Sequence, residues 1–116
     1  VKGKLLSKYG KSKEGFYNDG INIDSKKGTK VMSSQAGKVI YCGNEIPGYG
    51  NLILIKHSKN WITAYAHLNE VFTEKGKNVS KGEIIGSVGN TGNVRSPQLH
   101  FEIRKGKESV NPLKLL

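Results

Sequence analysis

Three histidines, His57, His67 and His100, are the side chains of this 116-residue chain best suited to acid–base or metal chemistry. A catalytic zinc centre takes three good protein donors, imidazole or carboxylate, and keeps a fourth position open for water. Three histidines meet the count without yet making a site. His57 ends the run Asn51 to Lys56 and precedes the turn-forming Ser58-Lys59-Asn60, which predicts an exposed ring rather than a ligand. His67 lies in Tyr65-Ala66-His67-Leu68 and His100 in Gln98-Leu99-His100-Phe101-Glu102. Residues i and i+2 of a strand share a face, so Gln98 and His100 point the same way. Cys42, the sole cysteine, permits neither an internal disulfide nor an all-cysteine zinc site, and is read as small apolar packing.

The elements that would carry these groups are short strands. From Ile21 on, alternating or β-branched runs are separated by Gly or Asn: Ile21 to Ile23, Lys38 to Tyr41, Asn51 to Lys56, Ile62 to Ala66, Glu83 to Val88 and His100 to Arg104. This spacing predicts an all-β fold, an antiparallel sandwich or barrel with little helix. No stretch keeps a helical apolar stripe, and only Asn69 to Val71 is read as one short turn. Gly28-Thr29-Lys30-Val31 followed by Gly37-Lys38-Val39 is echoed by Gly76-Lys77-Asn78-Val79 followed by Gly86-Ser87-Val88. A duplicated β-hairpin would produce this echo, with each Gly in a turn of positive φ and each Val facing one core. Residues 1–16 read as an irregular basic arm, pinned to a domain over 17–116 by Tyr9, Phe16 and Tyr17.

Length fits one domain. The net charge of +10 is carried almost wholly by scattered lysines, without the clustered Arg/Lys and interleaved aromatics of a nucleic-acid surface, so no nucleic-acid partner is expected. No apolar run approaches the roughly 18 residues of a membrane span. The chain opens Val1-Lys2-Gly3, and is read as part of a longer protein whose export signal or lipid anchor would lie upstream.

Seven stretches in order then resemble the LytM or lysostaphin-type zinc peptidases of bacterial cell walls: Asp19 to Ile23, Gly28 to Val31, Ala36 to Val39, Gly48 to Asn51, Thr63 to Leu68, Gly89 to Gly92 and Leu99 to Ile103. The resemblance implies a β-sandwich built on a duplicated hairpin. It also implies zinc bound by a His-x-x-x-Asp pair and by the last residue of a His-x-His pair. Those positions read Asn18 and Asn22, then Gln98 and His100. Of three ligands only His100 remains, and of two catalytic histidines only His67. A carboxamide is a weak donor to Zn²⁺, and Gln98 cannot take a proton as imidazole does. No metal, no cofactor and no peptidase activity are expected.

Degenerate domains of this pattern are similar to the NlpD and EnvC type division factors. The NlpD kind is nearer through Tyr41 to Asn44, Gly48 to Ile53, Lys56-His57 and Val110-Asn111-Pro112-Leu113. This implies a non-enzymatic, periplasmic activator of an N-acetylmuramoyl-L-alanine amidase in septal peptidoglycan splitting. The vanished active site would serve as a docking groove lined by Asn18, Asn22, Tyr49, Tyr65, His67, Gln98, His100 and Arg104, with the Arg95 to Pro97 loop on its rim. With no metal, His67 and His100 would bond to each other or to Gln98. The alternatives are a peptidoglycan-binding module without an amidase partner and a residual zinc endopeptidase.

Overall fold

The computed structural model describes residues 1–115. The strands, in chain order, are β1 (Leu5–Ser7), β2 (Gly10–Lys11), β3 (Tyr17–Asn18), β4 (Ile21–Asp24), β5 (Lys30–Met32) and β6 (Gly37–Gly43). They continue with β7 (Asn51–Lys56), β8 (Trp61–Val71), β9 (Asn78–Val79), β10 (Ile84–Val88), β11 (Gln98–Lys105) and β12 (Glu108–Val110). Two short 3-10 turns, Ser58–Asn60 and Pro112–Lys114, are the helical content of the described residues.

The main sheet runs β1-β4-β11-β8-β7-β6-β9, antiparallel at every pairing. Strand β8 is what folds it over. Its first part pairs with β11 from Trp61 opposite Lys105 to Ala66 opposite His100. Its last part pairs with β10, from Leu68 opposite Val88 to Val71 opposite Gly86. Between the two sits His67, whose φ of 65° is rare for a residue with a side chain. The expected turn at Asn69 to Val71 is instead the end of this strand, because β10 takes its backbone groups.

Alternation divides the residues between two faces. On β11, Leu99, Phe101 and Ile103 enter the main core with Tyr65, Ile53 and Ile55. Gln98, His100, Glu102 and Arg104 therefore share the opposite face, where Ala64, opposite Glu102, joins Ala66 and Leu52 in a second small cluster. Each fully buried Ile or Leu contributes about 1.5–3 kcal/mol relative to exposure. The larger core thus fixes the direction of the polar row.

The sequence echo becomes an interlock rather than two self-paired hairpins. Strand β5 pairs with β10, placing Val31 opposite Gly86, and β9 pairs with β6, placing Val79 opposite Gly37. Gly28 N donates to Val88 O at 2.8 Å, and Gly76 N donates to Val39 O at 2.8 Å. The φ values of Gly28 and Gly76 are 91° and 94°. All four valines are buried. Gly37 and Gly86 need no positive φ, and their constraint is closeness: a Cβ would meet Lys56 O at 2.5 Å and Glu70 O at 2.7 Å respectively.

The first 16 residues, expected to be irregular, contain strand β1 on the free edge of β4, while β2 pairs with β3. Tyr9 packs on the core and its hydroxyl donates to Ser109 O at 2.9 Å. Tyr17, though 59% exposed, also holds the arm, meeting Tyr9 edge to face at 5.7 Å and pairing with Lys11, whereas Phe16, 77% exposed, does not pin it. Cys42 is half-buried against the core, and burial foremost, then the Glu74 charge, pushes its thiol pKa up.

Candidate functional site: a cleft over a rewired ligand position

A cleft of about 580 Å³ opens on the polar face of β11 and β8. His67, His100, Tyr49 and Glu102 form its deeper wall, Asn18, Asp19, Phe16 and Tyr17 one side, and Pro47, Gly48, Asn93 and Val94 the other.

His67 reaches it through the left-handed backbone that turns β8. Its N–H donates to Tyr49 O at 2.9 Å, and its Nδ1 lies 2.8 Å from Thr91 O. A carbonyl only accepts, so Nδ1 carries the proton and Nε2 keeps its lone pair. Among the described residues Nε2 has no partner. Burial, above all, holds the pKa of His67 below the ordinary histidine value.

The three family ligand positions are wired to one another. Asn18 Oδ1 accepts from Gly20 N at 3.1 Å, which directs Asn18 Nδ2 to Ser7 Oγ at 2.9 Å and Asn22 Oδ1 at 3.1 Å. At the other end Gln98 Nε2 donates to Ser96 O at 3.2 Å, so its Oε1 accepts from Asn22 Nδ2 at 2.8 Å. Both ends thus make Asn22 Oδ1 an acceptor. His100 Nδ1, 3.0 Å away, must donate to it. Its Nε2 faces Glu102 Oε2 at 2.8 Å.

This settles how well the residues suit a zinc ion. Two carboxamides replace an imidazole and a carboxylate, and the remaining imidazole presents a proton, not a lone pair, toward them. That donor set does not match the deprotonated N, O or S sphere that Zn²⁺ takes.

Glu102 is the hub that inspection of the sequence overlooked. Only 2% exposed, its carboxylate accepts from Tyr49 Oη at 2.9 Å, from Arg104 Nε at 2.8 Å and faces His100. Burial alone would raise its pKa; the hydrogen bond and charge of His100, then Tyr49 and Arg104, outweigh that and hold it below the usual carboxylate range. Burial first, then the Glu102 charge and hydrogen bond, pushes Tyr49 up to about 12. The alternation that set Gln98 beside His100 extends to Glu102 and Arg104 and was the available signal.

Of the eight residues expected in the groove, Asn18, Tyr49, His67 and His100 line the cleft. Asn22 and Gln98 lie beneath its edge, joined through hydrogen bonds. Arg104 is held away by Glu102, Asp19 at 3.6 Å and Lys107 O at 3.3 Å. Tyr65 is misplaced by the sequence reading: it is 1% exposed on the core face, where Ser34 N donates to its hydroxyl at 3.0 Å. The expected His67 to His100 bond is absent among the described residues; the ring centroids are 6.0 Å apart, and each ring has other partners. His57 is half-buried rather than free, with Nδ1 2.7 Å from Ala36 O and Nε2 2.8 Å from Thr63 Oγ1. In the loop after β10 it is Asn93 and Val94 that reach the cleft, whereas Pro97 lines a different, lysine-bearing one. Phe16, Asn93 and Val94 come from loops, and Tyr17 from the two-residue strand β3, none with a periodic signal.

A doubled-over antiparallel sheet with polar strand residues at its mouth is the architecture of the lysostaphin-type domains. The catalytic domain of the antimicrobial peptidase lysostaphin from Staphylococcus simulans superposes with a TM-score of 0.90 at 26% identity, covering 97% of this chain and 90% of that one. The model of peptidase family M23 matches residues 16–112, and the chain belongs to that family. It is 46% identical over 104 residues to the cell division protein DipM of Caulobacter vibrioides, covering 90% of this chain and 17% of that protein. It is 42% identical over 116 residues to the murein hydrolase activator NlpD of Escherichia coli, covering 100% of this chain and 30% of that protein. The chain thus spans less than a third of either relative.

Proposed function

We propose that this domain is a non-enzymatic member of its family that activates a periplasmic N-acetylmuramoyl-L-alanine amidase in septal peptidoglycan splitting. The observation that carries this reading is the hydrogen-bonded set Asn18, Asn22, Gln98 and His100, with His100 Nδ1 3.0 Å from Asn22 Oδ1, at the positions where a peptidase would hold its metal. Without a metal nothing brings a water near neutral pKa, and Gln98 is no base. Relatives named as a murein hydrolase activator and a cell division protein support the same direction.

The cleft then serves to dock the amidase. Its rim carries Phe16 and Tyr17, 77% and 59% exposed, and aromatic side chains of this kind are enriched among interface anchors. The test is dye release from purified peptidoglycan by the domain alone, by a periplasmic amidase alone and by both, with metal analysis of the domain. Release that rises only in the mixture, from a zinc-free domain, is the expected result. Release by the domain alone would overturn the proposal.

A further inference from the structure

A second cleft, of about 510 Å³, lies at the core-face end of β8, on the other side of the sheet from His67 and His100. Its volume falls in the range of about 300–1,000 Å³ usual for small-ligand sites. Trp61, Ile103 and Leu115 give it apolar walls, and Gln35, Ser34 and Ser58 add polar groups.

The walls are held by a polar chain that runs from the surface into the core. His57 bridges Ala36 O and Thr63 Oγ1; Thr63 Oγ1 lies 2.9 Å from the Tyr65 hydroxyl, which lies 3.2 Å from Ser34 Oγ. Thr63 and Tyr65 are 4% and 1% exposed. The chain fastens the Ser33 to Ala36 turn against β8, so the cleft is formed before any ligand arrives, which lowers the ordering cost of binding.

Chemistry selects the ligand class. In a chain of net charge +10, the described residues lining this cleft include no Lys, Arg, Asp or Glu; the nearby cation is Lys105, whose Nζ lies 4.8 Å from the centroid of the Trp61 ring and covers part of the indole. The contrast is the cleft lined by Lys2, Lys4, Lys26 and Lys27, where an anion would go instead. Among the described residues the side chains of Gln35 and Ser58 and the Trp61 indole N–H make no hydrogen bond, and Gln35 and Ser58 are exposed. An indole wall, apolar patches and a few uncommitted donors and acceptors suit a molecule with an apolar face and a polar, uncharged edge. A pyranose ring has both.

We propose that this cleft binds an uncharged saccharide carrying an acetamido group. The methyl of that group would pack on Ile103 and Leu115, with its amide reaching Gln35. The neutral-sugar class rests on the lining alone; the N-acetylated choice also rests on the cell-wall reading above.

Trp61 is the only tryptophan, so its fluorescence reports on this cleft alone. Titration with chitotetraose is expected to give a saturable change in emission, with amide shifts at Gln35, Ser58 and Trp61. Gln35→Ala and Ser58→Ala, both at exposed positions, are each expected to weaken binding about 3- to 10-fold, the loss of one hydrogen bond. Unchanged affinity in both variants, or amide shifts confined to the His67 and His100 cleft, would overturn the site. Binding of cellotetraose in place of chitotetraose would overturn the acetamido assignment, and silence with both would overturn the saccharide class. No amidase enters the measurement, so failure to stimulate an amidase and failure to bind sugar are read separately.

Discussion

His100 Nδ1 stands 3.0 Å from Asn22 Oδ1, and the amide orientations of Asn18 and Gln98 leave that oxygen an acceptor and the ring nitrogen the donor. One asparagine thereby turns the last family ligand into a hydrogen-bond donor. Asn18→His with Asn22→Asp would supply an imidazole and a carboxylate beside His100. The double variant is expected to retain Zn²⁺ through dialysis and lose it to a chelator. Its melting temperature should rise with added Zn²⁺, since a ligand at 100 times its Kd stabilises by about 2.7 kcal/mol. Equal Zn²⁺ retention by the unaltered chain would refute the donor argument.

Tyr65 belongs to the core, not the groove. Tyr65→Phe should lower stability in urea by about 1–2 kcal/mol, because Ser34 N loses its acceptor. Tyr65→Ala should cost about 3–5 kcal/mol through the cavity it leaves. A Tyr65→Ala protein of normal stability would show that the ring is not packed as described.

These two residues show what alternation reveals and what it hides. Period two, together with the family resemblance, correctly set Gln98 with His100 and anticipated an antiparallel β-fold. Alternation could equally have separated Tyr65 from the groove, since Tyr65 enters the main core while Ala64 and Ala66, opposite Glu102 and His100, are buried on the other face. What no period could show is the break at His67, where a positive φ turns the strand and moves its side chain to the cleft. The walls at Phe16 and Tyr17 and at Asn93 and Val94 meet only because β4, β8 and β11 are neighbours. Tertiary pairing, not local pattern, assembles that half of the site.

Tyr49 makes an alkaline signature. Its phenol is neutral up to about 12 in the fold, against about 10 in an unfolded chain. The raised value means its stabilising contribution is complete below pH 10 and is lost as pH rises from there toward 12. Tyrosinate absorbance should show a late component that Tyr49→Phe removes. Stability of Tyr49→Phe should fall less steeply than that of the unaltered chain between those pH values. A titration curve unchanged by the substitution would mean that Tyr49 does not sit against the Glu102 carboxylate.

Gly37 and Gly86 are related by the interlocked repeat and should behave alike. Each faces a buried valine across the ladder and each meets a carbonyl oxygen at a distance no Cβ adopts. Gly37→Ala and Gly86→Ala should each destabilise by about 1–3 kcal/mol, by overpacking rather than by backbone strain. If one variant were neutral in thermal melts, the two halves would not be equivalent in packing.

Phe16 and Tyr17 test the docking surface apart from the fold. Phe16 projects to solvent at the cleft rim; Tyr17, also largely exposed there, donates its hydroxyl to Tyr9 Oη at 3.0 Å and sets its ring edge to face with Tyr9 at 5.7 Å. Their removal therefore takes little from the core, whereas a partner seated in the cleft would bury them. Phe16→Ala should leave the urea midpoint nearly unchanged, and Tyr17→Ala should lower stability by only about 0.5–1.5 kcal/mol, the loss of its edge-to-face pair with Tyr9. Each should weaken amidase binding by about 1–2 kcal/mol, roughly 5- to 30-fold, as expected for interface anchors. Full stimulation by the Phe16→Ala/Tyr17→Ala double variant would move the docking surface off this side of the cleft, since no other exposed aromatic lines it among the described residues.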